Sequence, residues 1–162
     1  MSVWTGARAI TREGMQRATG QELGLSDWFA MDQARIDAFA EVTEDRQFIH
    51  VDPDRARETM FGGTVAHGML TLSMMSGMAY GAVPRMEGIE ASINYGFDRV
   101  RFIAPVRSGK RIRGRFTLSE ARERGRDSLM CRLAAVVEIE DEDRPALTAD
   151  WLILYVFPRG TT

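Results

Sequence analysis

The feature that most constrains the fold of this chain is a long apolar segment in its middle. Residues 66–80 are apolar at nearly every position, and a helix that is hydrophobic all round must be covered by other elements. The longest mostly apolar stretch, residues 66–83, is only about as long as the shortest membrane span and contains a histidine, glycines and hydroxyl residues. We therefore predict a central helix that the rest of the chain buries.

The second half of the sequence changes to a period of two, which is typical of strands. Ile112, Phe116 and Leu118 alternate with arginines, and later runs are rich in β-branched residues. Turn-forming residues separate the runs. The predicted antiparallel strands cover residues 91–104, 110–122, 127–140 and 146–157.

The first half of the chain contains shorter elements. Asp32 precedes apolar residues at helical spacing and is placed as an N-cap, and Pro53 after Asp52 begins a second short helix. The predicted segments are a strand within residues 25–31, a helix over 33–42 and a loop over 43–51. The loop is held at both ends by helices.

This order of elements predicts an α+β fold in which an antiparallel β-sheet wraps around a long central helix. The chain has 162 residues, which is enough to bury a core without disulfides or a structural metal. Because no linker, repeat or low-complexity segment divides it, we expect a single domain over residues 1–162.

Composition excludes several functional classes. The formal charge is −2, so nothing resembles the basic surface of a nucleic-acid-binding protein or of a protein held on anionic lipid. Cys131 is the only cysteine, which rules out an internal disulfide and favours a small buried side chain over a nucleophile. The N-terminus shows no secretory signal, so a cytoplasmic location is expected.

Asp45 and His50 are the first candidate site residues. They lie five residues apart in the loop between two helices, and a carboxylate and an imidazole that face one water molecule can exchange protons with a substrate. The sequence has only two histidines. From the residues alone, a His50 that merely caps a helix or satisfies backbone groups is about equally plausible.

Gly68 is the second candidate, because it stands where the central helix begins. The first N–H groups of a helix have no partner within it and lie at the positive end of its dipole, so they can stabilise a developing negative charge on oxygen. The alternative is that Gly68 only permits close packing of the helix on the sheet, and the residue alone favours that alternative.

Three segments together resemble the MaoC-like dehydratase family of (R)-specific enoyl-CoA hydratases. Residues 39–56, FAEVTEDRQFIHVDPDRA, resemble its hydratase signature, and residues 61–70, FGGTVAHGML, resemble the segment that opens its central helix. Residues 93–106, INYGFDRVRFIAPV, are similar to the NodN-like branch. The resemblance covers roughly residues 21–120 in order.

The resemblance implies a hot-dog fold and a hydro-lyase that hydrates a trans-2-enoyl-CoA, or an acyl-carrier thioester, to the (R)-3-hydroxyacyl thioester. It implies that Asp45 and His50 activate the water, that the Gly68 N–H contacts the thioester oxygen, and that Ser76 is an auxiliary hydroxyl. It leaves open which of Asp45 and His50 is the acid. No cofactor is implied, since CoA is part of the substrate, and a homodimer is expected.

The signature departs from its usual form at Glu44, Gln47 and Phe48, where glycine, asparagine and proline are common. The acid and the imidazole are retained, so these departures concern loop shape and substrate range.

Two other functions fit the same fold: an acyl-CoA thioesterase and a non-catalytic acyl-binding partner. Thioesterases of this fold commonly place a carboxylate near the central helix, whereas residues 66–80 contain none. A non-catalytic partner would have lost Asp45 or His50, and both are present. No metal-binding spacing such as HExxH occurs around His50 and His67, so no metal is predicted.

Overall fold

The computed structural model of the chain describes residues 8–159. Its helices are α1 (Arg12–Arg17), α2 (Gln33–Thr43), α3 (Phe48–Val51), α4 (Pro53–Arg57) and α5 (Gly68–Ala82). Its strands are β1 (Ala9–Ile10), β2 (Glu22–Leu25), β3 (Phe29–Ala30), β4 (Arg85–Met86), β5 (Ala91–Phe102), β6 (Arg111–Glu123), β7 (Ser128–Ile139) and β8 (Leu147–Val156). Most of the N-terminal stretch used to predict the cytoplasmic location lies outside these described residues.

One antiparallel sheet forms the main layer of the described structure. Its strand order is β2-β6-β7-β8-β5, with β3 also paired to β6, while β1 and β4 form a small parallel pair. The four long strands match the predicted ones to within two residues at most ends. The central helix α5 packs on this sheet against β2 and β6, so the predicted α+β fold with a sheet around a central helix is confirmed.

The core lies between α5 and the face of the sheet that turns toward it. Ile112, Phe116 and Leu118 of β6 are fully buried, and β7 and β8 alternate buried and half-buried residues along nearly their whole length. This is the two-residue period that the sequence predicted. Burial of such side chains stabilises the fold by about 1.5–3 kcal/mol each.

Helix α5 is covered on one side only within a single chain. Its buried residues, such as Leu70, Met75 and Met78, lie on the side facing the sheet. On the other side, Met69 is 56% exposed and Tyr80 is 39% exposed. A single sheet covers one side of the helix, so within one chain the other side of α5 keeps exposed apolar side chains.

Strand β5 is an edge strand with unusual exposure. Its only strand neighbour among the described residues is β8, and bulges interrupt that pairing around Gly96 and Phe97. Ile93, Tyr95 and Phe102 are about half exposed. Together with the open side of α5, β5 presents apolar side chains and unpaired backbone groups at one edge of the molecule.

The first half of the chain differs from prediction in two places. The segment predicted as one strand within residues 25–31 contains only the last residue of β2 and the two-residue strand β3, with Ser26 to Trp28 between them. The predicted loop over residues 43–51 ends early, since Phe48–Val51 forms the short helix α3. The N-cap prediction is confirmed, as the Asp32 side chain accepts a hydrogen bond from the Arg35 N–H.

The basic side chains at and just before the start of β6 pair with nearby carboxylates on the outer face of the sheet. The ion pairs are Lys110–Glu142, Arg111–Glu140, Arg113–Glu138, Arg115–Glu138 and Arg115–Glu22. This is a neutralised, solvated strand face. Within residues 8–159, no helix is both long and apolar enough to cross a membrane.

Candidate active site

The loop that carries Asp45 begins with a residue in a left-handed conformation. Glu44 ends α2 with φ of 63°, a conformation that glycine adopts without strain and other L-residues do not. Its carboxylate is 2.7 Å from the Arg46 guanidinium, which also binds Glu41. Position 44 thus has a backbone conformation that favours glycine, and the carboxylate that replaces it is paired with Arg46, two residues along the same loop.

His50 is held both through its ring and through its own backbone carbonyl. Only 7% of it is exposed, and its Nδ1 lies 2.6 Å from the carbonyl oxygen of Val65. Because a carbonyl oxygen only accepts, Nδ1 must carry the proton. The Gln33 amide donates to the His50 carbonyl at 2.7 Å, and Thr64 donates in turn to Gln33.

Burial, the largest influence, lowers the pKa of His50. The nearby His67 ring adds to the lowering, while the hydrogen bond to Val65 and the charge of Asp45 oppose it. Since Nδ1–H is used by Val65, the nitrogen that gains or loses a proton is Nε2. At neutral pH this nitrogen carries a free lone pair.

The second histidine, His67, lies directly against the first. The two rings are stacked with centroids 3.8 Å apart and an angle of 26° between their planes. His67 is 2% exposed, and its Nε2 lies 2.9 Å from the backbone carbonyl oxygen of Asp45. Phe39 of α2 also packs against His67, with ring centroids 5.1 Å apart.

Asp45, His50 and His67 converge on one small region. A carboxylate oxygen of Asp45 and one ring nitrogen of each histidine all lie within 4.8 Å of one another. A water molecule with hydrogen bonds of about 2.8 Å can bridge groups up to about 5.6 Å apart. The acid and the imidazole are therefore close enough to share one water, with the Asp45 side chain toward solvent and His50 buried.

The same three residues could in principle hold a divalent cation. A metal bonded to an imidazole lies in the ring plane at about 2.0–2.1 Å from nitrogen. The ring planes of His50 and His67 are stacked at an angle of only 26°. The two planes therefore intersect much farther from the rings than the length of a metal–nitrogen bond. This arrangement of the rings suits a bound water molecule better than a metal ion shared by both rings, because hydrogen bonds tolerate wider angles than metal–nitrogen bonds.

A cavity of about 270 Å³ connects His50 with the start of α5. Its lining includes His50, Gly68, Thr71 and Phe102, and most of the rest is apolar. Gly68 is the first residue of α5, and a Cβ there would approach the Phe102 ring to 2.9 Å. The absence of a side chain therefore lets the Phe102 ring pack closely against the helix end where free N–H groups lie. Asp45 does not line this cavity.

Ser76 is not brought to the same place within one chain. It lies eight residues beyond Gly68, about 12 Å along the helix, and lines a separate cavity of about 250 Å³ with Tyr80, Asn94 and Trp151. The structure thus places Asp45 near His50 and joins His50 to Gly68 through one cavity, but it does not bring Ser76 there, and the auxiliary role of Ser76 stays a prediction.

Sequence reasoning missed the residues that support the site. The sequence analysis considered His67 only as a possible metal ligand, although it is the only histidine besides His50 and could have been paired with it. The carbonyl of Val65 and the side chains of Gln33 and Thr64 gave no readable signal, since their contacts with the His50 segment depend on the folded chain.

Known proteins resemble this chain over most of its length. Nodulation protein N of Rhizobium leguminosarum bv. viciae is 52% identical over 139 residues, which cover 85% of this chain and 86% of that protein. The 3-hydroxyacyl-thioester dehydratase Z of Mycobacterium tuberculosis is 37% identical over 139 residues, covering 86% of this chain and 91% of that protein.

The fold is shared with solved structures. The unliganded R-hydratase of Pseudomonas aeruginosa superposes with a TM-score of 0.74 at 21% identity, covering 95% of this chain and 90% of that one. This likeness confirms the hot-dog fold. The family model described as the MaoC like domain matches residues 14–140. The chain therefore belongs to the MaoC-like dehydratase family.

Proposed function

We infer that this protein catalyses the reversible hydration of a trans-2-enoyl thioester to the (R)-3-hydroxyacyl thioester. The observation that carries the proposal is the convergence of an Asp45 oxygen and a His50 nitrogen within 4.8 Å, next to a cavity that joins His50 to the amino end of α5. Among the family relatives, the name of one is 3-hydroxyacyl-thioester dehydratase and that of another is R-hydratase.

The hydrogen bonds of His50 support its assignment as the base. With Nδ1–H donated to Val65, neutral His50 has only the Nε2 lone pair to offer, and burial favours that neutral form. Nε2 therefore accepts a proton from the water. The Asp45 carboxylate accepts the other hydrogen of the same water and orients its oxygen.

The water oxygen bonds to C3 of the enoyl group while one of its protons moves to Nε2 of His50. The electrons of the double bond move toward the thioester carbonyl, and the Gly68 N–H at the helix end stabilises the resulting enolate oxygen. The imidazolium then returns its proton to C2, which restores neutral His50. No metal and no cofactor takes part.

The acyl group is carried by CoA or by an acyl-carrier protein, and the cavity at His50 receives the reacting end. Its lining is mostly apolar, with Ile49, Phe61 and Val106 beside His50. An apolar wall excludes competing water and strengthens the electrostatic effect of the helix end.

The active molecule is proposed to be a homodimer joined at the edge formed by β5 and the open side of α5. That edge exposes Ile93, Tyr95, Phe102 and Met69 together with unpaired backbone groups, a surface that soluble proteins usually cover. Phe102 also lines the His50 cavity, so a second copy at this edge would complete its wall.

Hydration of crotonyl-CoA by the purified protein tests the proposal. The conjugated enoyl absorbance should fall, and chiral analysis should find the (R)-3-hydroxyacyl product. A thiol reagent in the same reaction detects free CoA, which only a thioesterase would release. No loss of enoyl absorbance with CoA thioesters of any chain length or with carrier-bound substrates would overturn the proposal, and stoichiometric thiol release would replace it with hydrolysis.

A further inference from the structure

We propose that His67 is a positioning residue of this site, which ties the Asp45 loop and the His50 ring to the amino end of α5. This inference rests on the proposed function and extends it to a residue that does not itself react. His67 immediately precedes Gly68, so one residue connects the acid, the base and the helix end.

The first contact is a hydrogen bond to the loop. The Asp45 carbonyl oxygen lies 2.9 Å from Nε2 of His67, and because the carbonyl only accepts, Nε2 must donate. Asp45 itself lies in a four-residue connection between α2 and α3 and is exposed. A fixed backbone at position 45 limits the positions that its carboxylate can reach.

The second contact is the stack on His50. The His67 ring covers one face of the His50 ring at 3.8 Å, and Phe39 packs against His67. His50 is thus fixed in its plane by Val65 and on its face by His67. Proton transfer depends steeply on such alignment, since displacements of about 1 Å can reduce rates a hundredfold.

The third observation argues against a purely structural role. Nδ1 of His67 is buried and has no hydrogen-bond partner in the described part of the chain. An unsatisfied buried nitrogen is rare in proteins and calls for an explanation. If only packing were needed, an apolar ring would fill the space without that cost. A role for the Nε2–H donor explains why an imidazole occupies the position.

Two variants separate the donor from the ring. His67→Phe keeps a flat ring for stacking and removes the donor, whereas His67→Gln removes the ring and retains an amide N–H of similar reach. We expect His67→Phe to lower kcat about tenfold to a hundredfold with KM changed less than about twofold. His67→Gln should recover most of that loss. Thermal unfolding of both variants checks that each is folded.

Equal activity of His67→Phe and the wild type would overturn the inference. So would equal losses in both variants, because the donor would then not be the means by which His67 acts. If His67→Phe does not fold, His67→Gln must retain at least about a tenth of wild-type kcat. A lower value contradicts the proposal that the hydrogen bond from His67 to the Asp45 carbonyl positions the site.

Nuclear magnetic resonance tests the contact without any substrate. The chain has only two histidines, so the His67→Gln spectrum assigns both rings. We expect His50 as the Nδ1–H tautomer and His67 as the Nε2–H tautomer. Loss of the second imidazole should also raise the pKa of His50, since His67 lowers it while Asp45 and Val65 act in the opposite direction. If His67 in the wild type is instead protonated at Nδ1, it cannot donate to the Asp45 carbonyl, and the positioning role is overturned. This result is independent of whether the hydration assay succeeds.

Discussion

Replacing Glu44 with glycine should stabilise the protein. Glu44 has φ of 63°, and the left-handed region costs an L-residue roughly 1–2 kcal/mol. Glycine removes this strain but loses about 0.5–1 kcal/mol through its greater freedom in the unfolded chain. The ion pair with Arg46 is solvent-exposed and contributes little. The expected net gain is about 0.5–1 kcal/mol.

Thermal and urea unfolding followed by circular dichroism measure this gain. For a chain of this size, it corresponds to a rise in Tm of about 1–4 °C. Glu44→Gln is the matched control, because it removes the charge and keeps a side chain at positive φ. The Tm of this variant should not exceed that of the wild type. A Glu44→Gly variant no more stable than Glu44→Gln would refute the argument that position 44 is strained.

Three further predictions concern the site. Gly68→Ala should reduce kcat by about a hundredfold or more, because the new methyl group would obstruct the approach of the thioester oxygen to the N–H groups at the helix end. The fold should stay intact, because the half-exposed Phe102 can move away from the methyl group; wild-type kcat would contradict the role of the helix end. The neutral form of His50 is the base and its pKa is lowered, so kcat/KM should stay constant down to about pH 6.5 and fall only below it; an acid limb above about pH 7 would be inconsistent. Dialysis against a chelator should leave activity unchanged, and a loss restored by zinc would show that a metal is needed.

The sequence predicted the parts of the fold that depend on periodic patterns. The strands β6 and β7 follow from alternation between buried and outward residues, and the register of their pairing places Ile112 and Phe116 inward. A four-residue helix such as α3 has no such period, since Phe48–Val51 spans only about one turn. For this reason the sequence indicates a loop at Phe48–Val51, where the structure has a helix.

The sequence predicted the residues that we propose to react, but not the residues that support them. The resemblance selected Asp45, His50 and Gly68, and these lie together in the folded chain. The choice of nitrogen on His50 depends on Val65, fifteen residues away, and no local pattern reveals such a contact. The open side of α5 was also unpredictable, because an apolar sequence does not show which faces its own chain covers.

The most direct test of the account is the kinetics of Asp45→Asn, His50→Gln and the double variant with crotonyl-CoA. If both side chains act on one water, each single change should lower kcat/KM at least about a hundredfold. The double variant should then be hardly worse than the poorer single variant. Losses that multiply in the double variant, or a single variant with near wild-type activity, would show that the two groups do not share a water.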